Sequence, residues 1–173
     1  CWGDTTNGGS TPSDVSNVVQ LYSNKSAFTA LSSDGTIKSW GTLNSTTSPT
    51  DNKFVDVFST DDAFTGLKSD GTVKCWGSSD SRQNTPPTDL SNVSFIFSNQ
   101  TAFASLLGDG TVQCWGNTAN GGTTPTDISN VDTIYSTNTA FTALLNDGNI
   151  VCWGNSTNGG TKPVKTDKEY NID

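Results

Sequence analysis

Val131-Asp132-Thr133-Ile134-Tyr135-Ser136-Thr137-Asn138-Thr139-Ala140-Phe141-Thr142-Ala143-Leu144-Leu145-Asn146-Asp147-Gly148-Asn149-Ile150-Val151-Cys152-Trp153-Gly154 decides how the whole chain is read. Residues 131–135 are β-branched and aromatic, suited to a half-buried pleated strand. The polar residues 136–139 turn the chain. Residues 140–144 alternate small and large side chains and predict a second strand. Asp147-Gly148 predicts a tight hairpin, because Asp-Gly tolerates the positive φ of a type I′ turn. Residues 149–153 then return as a third strand. Residues 155–163, with Asn158-Gly159-Gly160, form a loop leading onward.

The same pattern is written three more times, at residues 18–41, 54–77 and 93–116. Ala-Phe recurs at Ala27, Ala63, Ala102 and Ala140, Asp-Gly at Asp34, Asp70, Asp109 and Asp147, and Trp-Gly at Trp40, Trp76, Trp115 and Trp153. A fixed period of this size marks one supersecondary unit that is stable only when stacked on its neighbours. The repeats run over 15–51, 52–89, 90–127 and 128–163, with a partial repeat at 1–14 and a tail at 164–173, in a single repeat domain. Pro12, Pro49, Pro86, Pro87 and Pro125 lie between units and interrupt pairing there. With no sustained helical period, the prediction is all-β: four short three-stranded antiparallel blades.

The motifs Ala-Phe…Asp-Gly…Cys-Trp-Gly resemble the repeat of the regulator of chromosome condensation family, most of all the compact repeats of the propeller-type β-lactamase inhibitory protein. The resemblance covers all but the tail and implies a ring of about seven radially arranged blades. Four blades this narrow would each have to turn through about a right angle to close. The expectation is therefore a propeller-like arc or superhelical stack, completed by another chain or a longer parent. Cys1-Trp2-Gly3 reads as a third-strand ending without its two partner strands. It pairs with the last blade, pairs with a neighbouring molecule as an assembly strand, or marks only where the sequence starts. A start at Cys1 without Met suggests a processed product or part of something longer.

Composition narrows the function. The net charge is −8 and only 31% of residues are hydrophobic. An acidic surface repels phosphate, which speaks against nucleic acid and anionic membranes as partners. No apolar run approaches the roughly 20 residues that span a bilayer.

There is no His, and Glu169 is the single Glu, so the usual general bases are missing. Asp61-Asp62 reads as a solvated turn rather than an acid/base pair, and the four Asp-Gly aspartates as hairpin formers. No metal-ligand or phosphate-cradling spacing occurs, and no cofactor is expected. The tryptophans, in phase with the blade, read as packing rather than as a sugar-stacking row. Phe28, Phe64, Phe103 and Phe141 read as core.

Cys1, Cys75, Cys114 and Cys152 each precede a Trp, with Ser39 in the remaining place. They are candidates for disulfides between units (Cys75 with Cys114, Cys152 with Cys1), or small core residues if the sheets stand about 10 Å apart. Asn24, Asn44, Asn92, Asn99 and Asn155 head Asn-X-Ser/Thr sequons, possible glycosylation sites. These features lead to the expectation of a non-enzymatic, extracellular or cell-surface repeat glycoprotein that self-assembles into an oligomer or filament. The alternative is a protein-binding, inhibitor-like propeller gripping a partner with loops 42–53, 78–90 and 117–128. A lectin is less favoured, and nucleotide exchange on chromatin, as in the family namesake, is opposed by the acidity.

Overall fold

The computed structural model describes residues 1–43 and 48–162. Asn44 and the tail lie outside the described residues. Blade one comprises β1 (Val18–Ser23), β2 (Ala27–Ser32) and β3 (Ile37–Gly41); blade two, β4 (Phe54–Ser59), β5 (Phe64–Lys68) and β6 (Val73–Trp76). Blade three comprises β7 (Val93–Ser98), β8 (Ala102–Leu107) and β9 (Val112–Gly116); blade four, β10 (Val131–Ser136), β11 (Ala140–Leu145) and β12 (Ile150–Gly154). Each blade is a separate antiparallel sheet with its strands in chain order. The all-β architecture of four three-stranded blades is as the repeat predicts.

The Asp-Gly hairpin corrects one expectation. Gly35 takes φ 78° while Asp34 is absent from the positive-φ residues, so the turn is not type I′. Gly35 N donates to Ser32 O at 3.0 Å, and Ser32 N to Thr36 O at 2.9 Å. This is the longer hairpin in which a left-handed glycine closes a β-turn. Asp34 serves instead as an acceptor: its Oδ1 takes Thr36 N at 3.0 Å and Thr36 Oγ1 at 2.7 Å. Asp70 and Asp109 repeat the arrangement, and Asp147 accepts from Asn149 N.

Every first strand also slips register after its first residue, between Val18 and Gln20, Phe54 and Asp56, Val93 and Phe95, and Val131 and Thr133. Residues three apart on a regular strand point to opposite faces. The bulge absorbs one residue. Phe54 and Val57 therefore both face inward, as do Val93 with Ile96 and Val131 with Ile134.

The core lies between blades. Leu31 and Ile37 of blade one pack with Phe54, Val57, Phe64 and Trp76 of blade two. Leu67 of blade two, with partly buried Val73, meets Val93, Ile96, Phe103 and Trp115 of blade three. Val112 and Cys114 of blade three meet Val131, Ile134, Phe141 and Trp153 of blade four. Within each blade, Phe stacks on Trp at centroid separations of 5.7, 5.6, 5.2 and 5.4 Å.

The connection after blade two holds a single helical turn, α1 (Ser81–Asn84), capped by Asp80. No helix among the described residues is long and apolar enough to cross a membrane.

Candidate functional site

Each blade junction is made by the same backbone bonds. Phe54 N donates to Gly35 O, Val93 N to Gly71 O and Val131 N to Gly110 O, all at 3.0 Å. At the turns between the first and second strands a ladder runs from Lys25 N to Asp61 O, Asp61 N to Gln100 O and Gln100 N to Asn138 O, at 3.1, 2.9 and 3.1 Å. These four residues line a polar depression of about 530 Å³. Side chains reinforce the joints: Tyr22 Oη donates to Asp56 Oδ1 at 2.7 Å, and Lys25 pairs with Asp61 at 2.5 Å. Asp61 is thus an ion-pair partner of the neighbouring blade.

Among the described residues, both ends of the series lack these partners. Gly148 O and Asn138 N–H at one end, and Val18 N–H and Lys25 C=O at the other, make no cross-blade bond. A Cβ built on Gly35 would lie 3.0 Å from Lys53 Cα in the next blade, whereas one on Gly148 meets nothing within 4 Å. On the side-chain level, Val18 and Leu21 are 39% and 60% exposed, while Phe54 and Val57, their counterparts in blade two, are 3% and 2%. The far end presents Tyr135, also exposed, and half-buried Leu144 and Ile150, whose counterparts Leu31 and Ile37 are buried. Both ends thus expose groups that the internal junctions cover.

The Asn-Gly-Gly loops cover Phe-Trp stacks. Trp153 Nε1 donates to Gly121 O at 3.2 Å, and Trp40 Nε1 to Gly8 O at 3.1 Å. Gly121 and Gly8 sit at φ 101° and 92°, and a Cβ there would come within 2.7 Å of Phe141 and 2.5 Å of Phe28. Only glycine fits a left-handed residue pressed on a ring.

The cysteines are free thiols. Their position serves another purpose. Trp76 Nε1 donates to Ser39 Oγ at 3.0 Å across the first junction. In the second junction Trp115 Nε1 is buried without a hydrogen-bond partner, and in the third Trp153 Nε1 donates to Gly121 O, with the Cys75 and Cys114 thiols at the repeat position of Ser39. Burial pushes both thiols up to about 12, offset for Cys75 by Thr65 and then Trp115, and for Cys114 by Trp153 and then Thr124. Cys1 is exposed beside Trp2, which is 94% exposed, and Gly3 has no neighbour within 4 Å of a built Cβ.

The sequon asparagines fall in different settings. Asn24 Oδ1 accepts from Ser26 N and Ala27 N, holding the turn between β1 and β2. Asn99 does the same for Thr101 N and Ala102 N, donates from Nδ2 to Asn120 O at 2.7 Å, and is buried. Asn155 caps a 3₁₀ turn (Ser156–Asn158). Asn92 is exposed at φ 55°. No cluster of three or more His, Cys, Asp or Glu that could hold a metal occurs among the described residues. Asn7-Gly8-Gly9, Asn120-Gly121-Gly122 and Asn158-Gly159-Gly160 read in the sequence as turns between blades, but neither the capping of Phe-Trp stacks by the first two nor the first-strand bulge, signalled by paired apolar residues three apart, is legible there.

No family model matches the chain, and no curated protein matches it. Solved structures do. The ectodomain of the Physcomitrella patens receptor kinase CR4 is 19% identical, with a TM-score of 0.61 over 79% of this chain and 41% of that one. A structure of Kap60 bound to yeast RCC1 (Prp20) matches with 20% identity and a TM-score of 0.62, over 83% of this chain and 44% of the other. The computationally designed Ika4 protein is 20% identical with a TM-score of 0.53, over 84% of this chain and 96% of its own. The chain spans less than half the length of the first two. Its blades have the RCC1-type repeat fold.

Proposed function

We propose that this chain is a protein-binding repeat module whose partner is another set of the same blades, joined end to end. Blade four of one copy takes blade one of the next, giving a ring of arcs or a filament. The observation that carries this reading is the exposure of Val18 and Leu21 at positions buried in all three internal junctions. Burying them again supplies roughly 2 kcal/mol by apolar area, and each joint pairs Gly148 O with Val18 N–H and Asn138 N–H with Lys25 C=O. Because the two surfaces differ, the contact is heterologous: it propagates unless rotation closes it.

The reading gives the chain a structural rather than catalytic role, and an extracellular setting is part of the proposal. In that setting Asn92 is the sequon best placed to carry a glycan, since Asn24, Asn99 and Asn155 hold turns with their side chains. Sedimentation velocity over a wide concentration range tests the assembly. Concentration-dependent oligomers that Leu21→Asp abolishes are expected; a wild-type monomer at every concentration refutes it.

A further inference from the structure

The end-to-end joint has two rival occupants for one shelf. Residues 4–9 and 155–160 fold alike: Asn7 N and Gly9 N donate to Asp4 O at 3.2 and 2.7 Å, as Asn158 N and Gly160 N donate to Asn155 O at 3.1 and 2.8 Å. A Cβ on Gly9 would meet Gly3 O at 2.4 Å, and one on Gly160 would meet Gly154 O at 2.4 Å. The sequences agree as well, Trp2-Gly3-Asp4-Thr5-Thr6-Asn7-Gly8-Gly9 against Trp153-Gly154-Asn155-Ser156-Thr157-Asn158-Gly159-Gly160. Yet their surroundings differ. The first loop is seated on Phe28 and Trp40, and Thr42 Oγ1 holds Thr6 O at 2.8 Å. The second is folded but empty: at Gly159 a built Cβ meets a single Thr137 methyl at 3.9 Å.

The internal junction between blades three and four shows what such a loop does. The loop after blade three crosses to the next blade and caps Phe141 and Trp153 through Gly121. By continuity, the loop after blade four caps the Phe-Trp shelf of the blade that follows it. In an end-to-end joint that shelf is Phe28 and Trp40 of a second copy, where residues 4–9 already sit.

We infer that assembly proceeds by loop exchange: residues 155–160 of one copy displace residues 4–9 from the Phe28–Trp40 shelf of the next, with the Trp40 indole N–H passing from Gly8 O to the partner's Gly159 O. This rests on the end-to-end reading above and adds a specific surface and a step to it. The displaced loop makes the joint slower and weaker than an internal junction, since the hydrogen bond and the ring contact are exchanged rather than gained.

Hydrogen–deuterium exchange on the wild-type chain, dilute and assembled, separates the ideas. The amides of residues 3–10 lose protection on assembly while those of 155–161 gain it. Assembly with residues 3–10 as protected as before overturns the exchange and leaves end-to-end stacking standing. A chain that never assembles overturns both. Two variants read the same step by mass: Gly159→Leu weakens association at least about tenfold, and Gly8→Leu, which unseats the resident loop, strengthens it. Association indifferent to Gly159→Leu but lost in Leu21→Asp again retains stacking and rejects exchange.

Discussion

Truncating the same repeat position in two blades separates an internal junction from an open end. Ile96, in β7, is 1% exposed and packed with Leu67, Phe103 and Trp115; Leu21, in β1, is 60% exposed. Ile96→Ala removes a fully buried side chain and leaves a cavity, at a cost of about 3 kcal/mol. Leu21→Ala removes a side chain with less than half of its surface covered, so its cost in the dilute chain is about 1 kcal/mol or less. With a urea slope of about 2 kcal/mol/M for a chain of this size, the midpoint falls by roughly 1.5 M for Ile96→Ala and by about 0.5 M or less for Leu21→Ala. The five tryptophans make fluorescence a direct readout. Equal losses in the two variants at low concentration contradict an open blade-one face, because they require Leu21 to be as covered as Ile96.

Other consequences are more local. Lys53 holds φ 75° where Asn17, Asn92 and Asn130 occupy the equivalent places, so Lys53→Asn relieves left-handed strain and adds about 0.5 kcal/mol of stability, raising the urea midpoint by about 0.25 M. Cys75→Ser raises stability by about 1 kcal/mol in the same assay, because a hydroxyl there accepts the buried, unpartnered Trp115 Nε1–H as Ser39 accepts that of Trp76; an unchanged or lower midpoint contradicts this. The Cys75 and Cys114 thiols ionise near 12 when folded and near 9 when unfolded, so the stability they contribute is complete below about pH 9 and is lost as pH rises toward 12. Base titration followed by circular dichroism reads this, and thiol labelling at neutral pH reaches exposed Cys1 long before Cys114. At the acid end, Asp34, Asp70 and Asp109 sit below the usual carboxylate value through their threonine partners, and Asp147 through Asn149. Stability is full above pH 3.8 and falls as the pH drops through the folded values; an acid melt unchanged by Asp109→Asn would contradict that origin.

The sequence carried the fold because each blade repeats the same three-strand pattern, and Ala-Phe, Asp-Gly and Trp-Gly fix where the strands turn and stack. Phe64 with Trp76 and Phe103 with Trp115 are core for the reason their phase suggests. What escaped the reading depends on backbone choices with little local signature. Asp-Gly is compatible with two hairpin geometries, and Thr36 or its equivalent, by donating to the aspartate, marks the longer one. The bulge that turns Phe54 and Val57 to one face shows in sequence only as apolar residues three apart, a spacing that also suits a helix. The single turn Ser81–Asn84 is too short for any period to reveal. The sequon and cysteine patterns marked real repeat positions, but their use depends on which atoms the fold engages. Asn99 Nδ2 is engaged by Asn120 O of the loop after blade three, and the Cys75 sulfur lies 3.1 Å from Thr65 Oγ1 on the neighbouring strand.

Electron cryomicroscopy of the concentrated protein tests end-to-end joining of the blades. Rings of arcs or filaments are expected, in which Gly148 of one copy abuts Val18 of the next at the spacing of an internal blade junction. Dispersed four-bladed arcs, or copies joined through any other surface, contradict it.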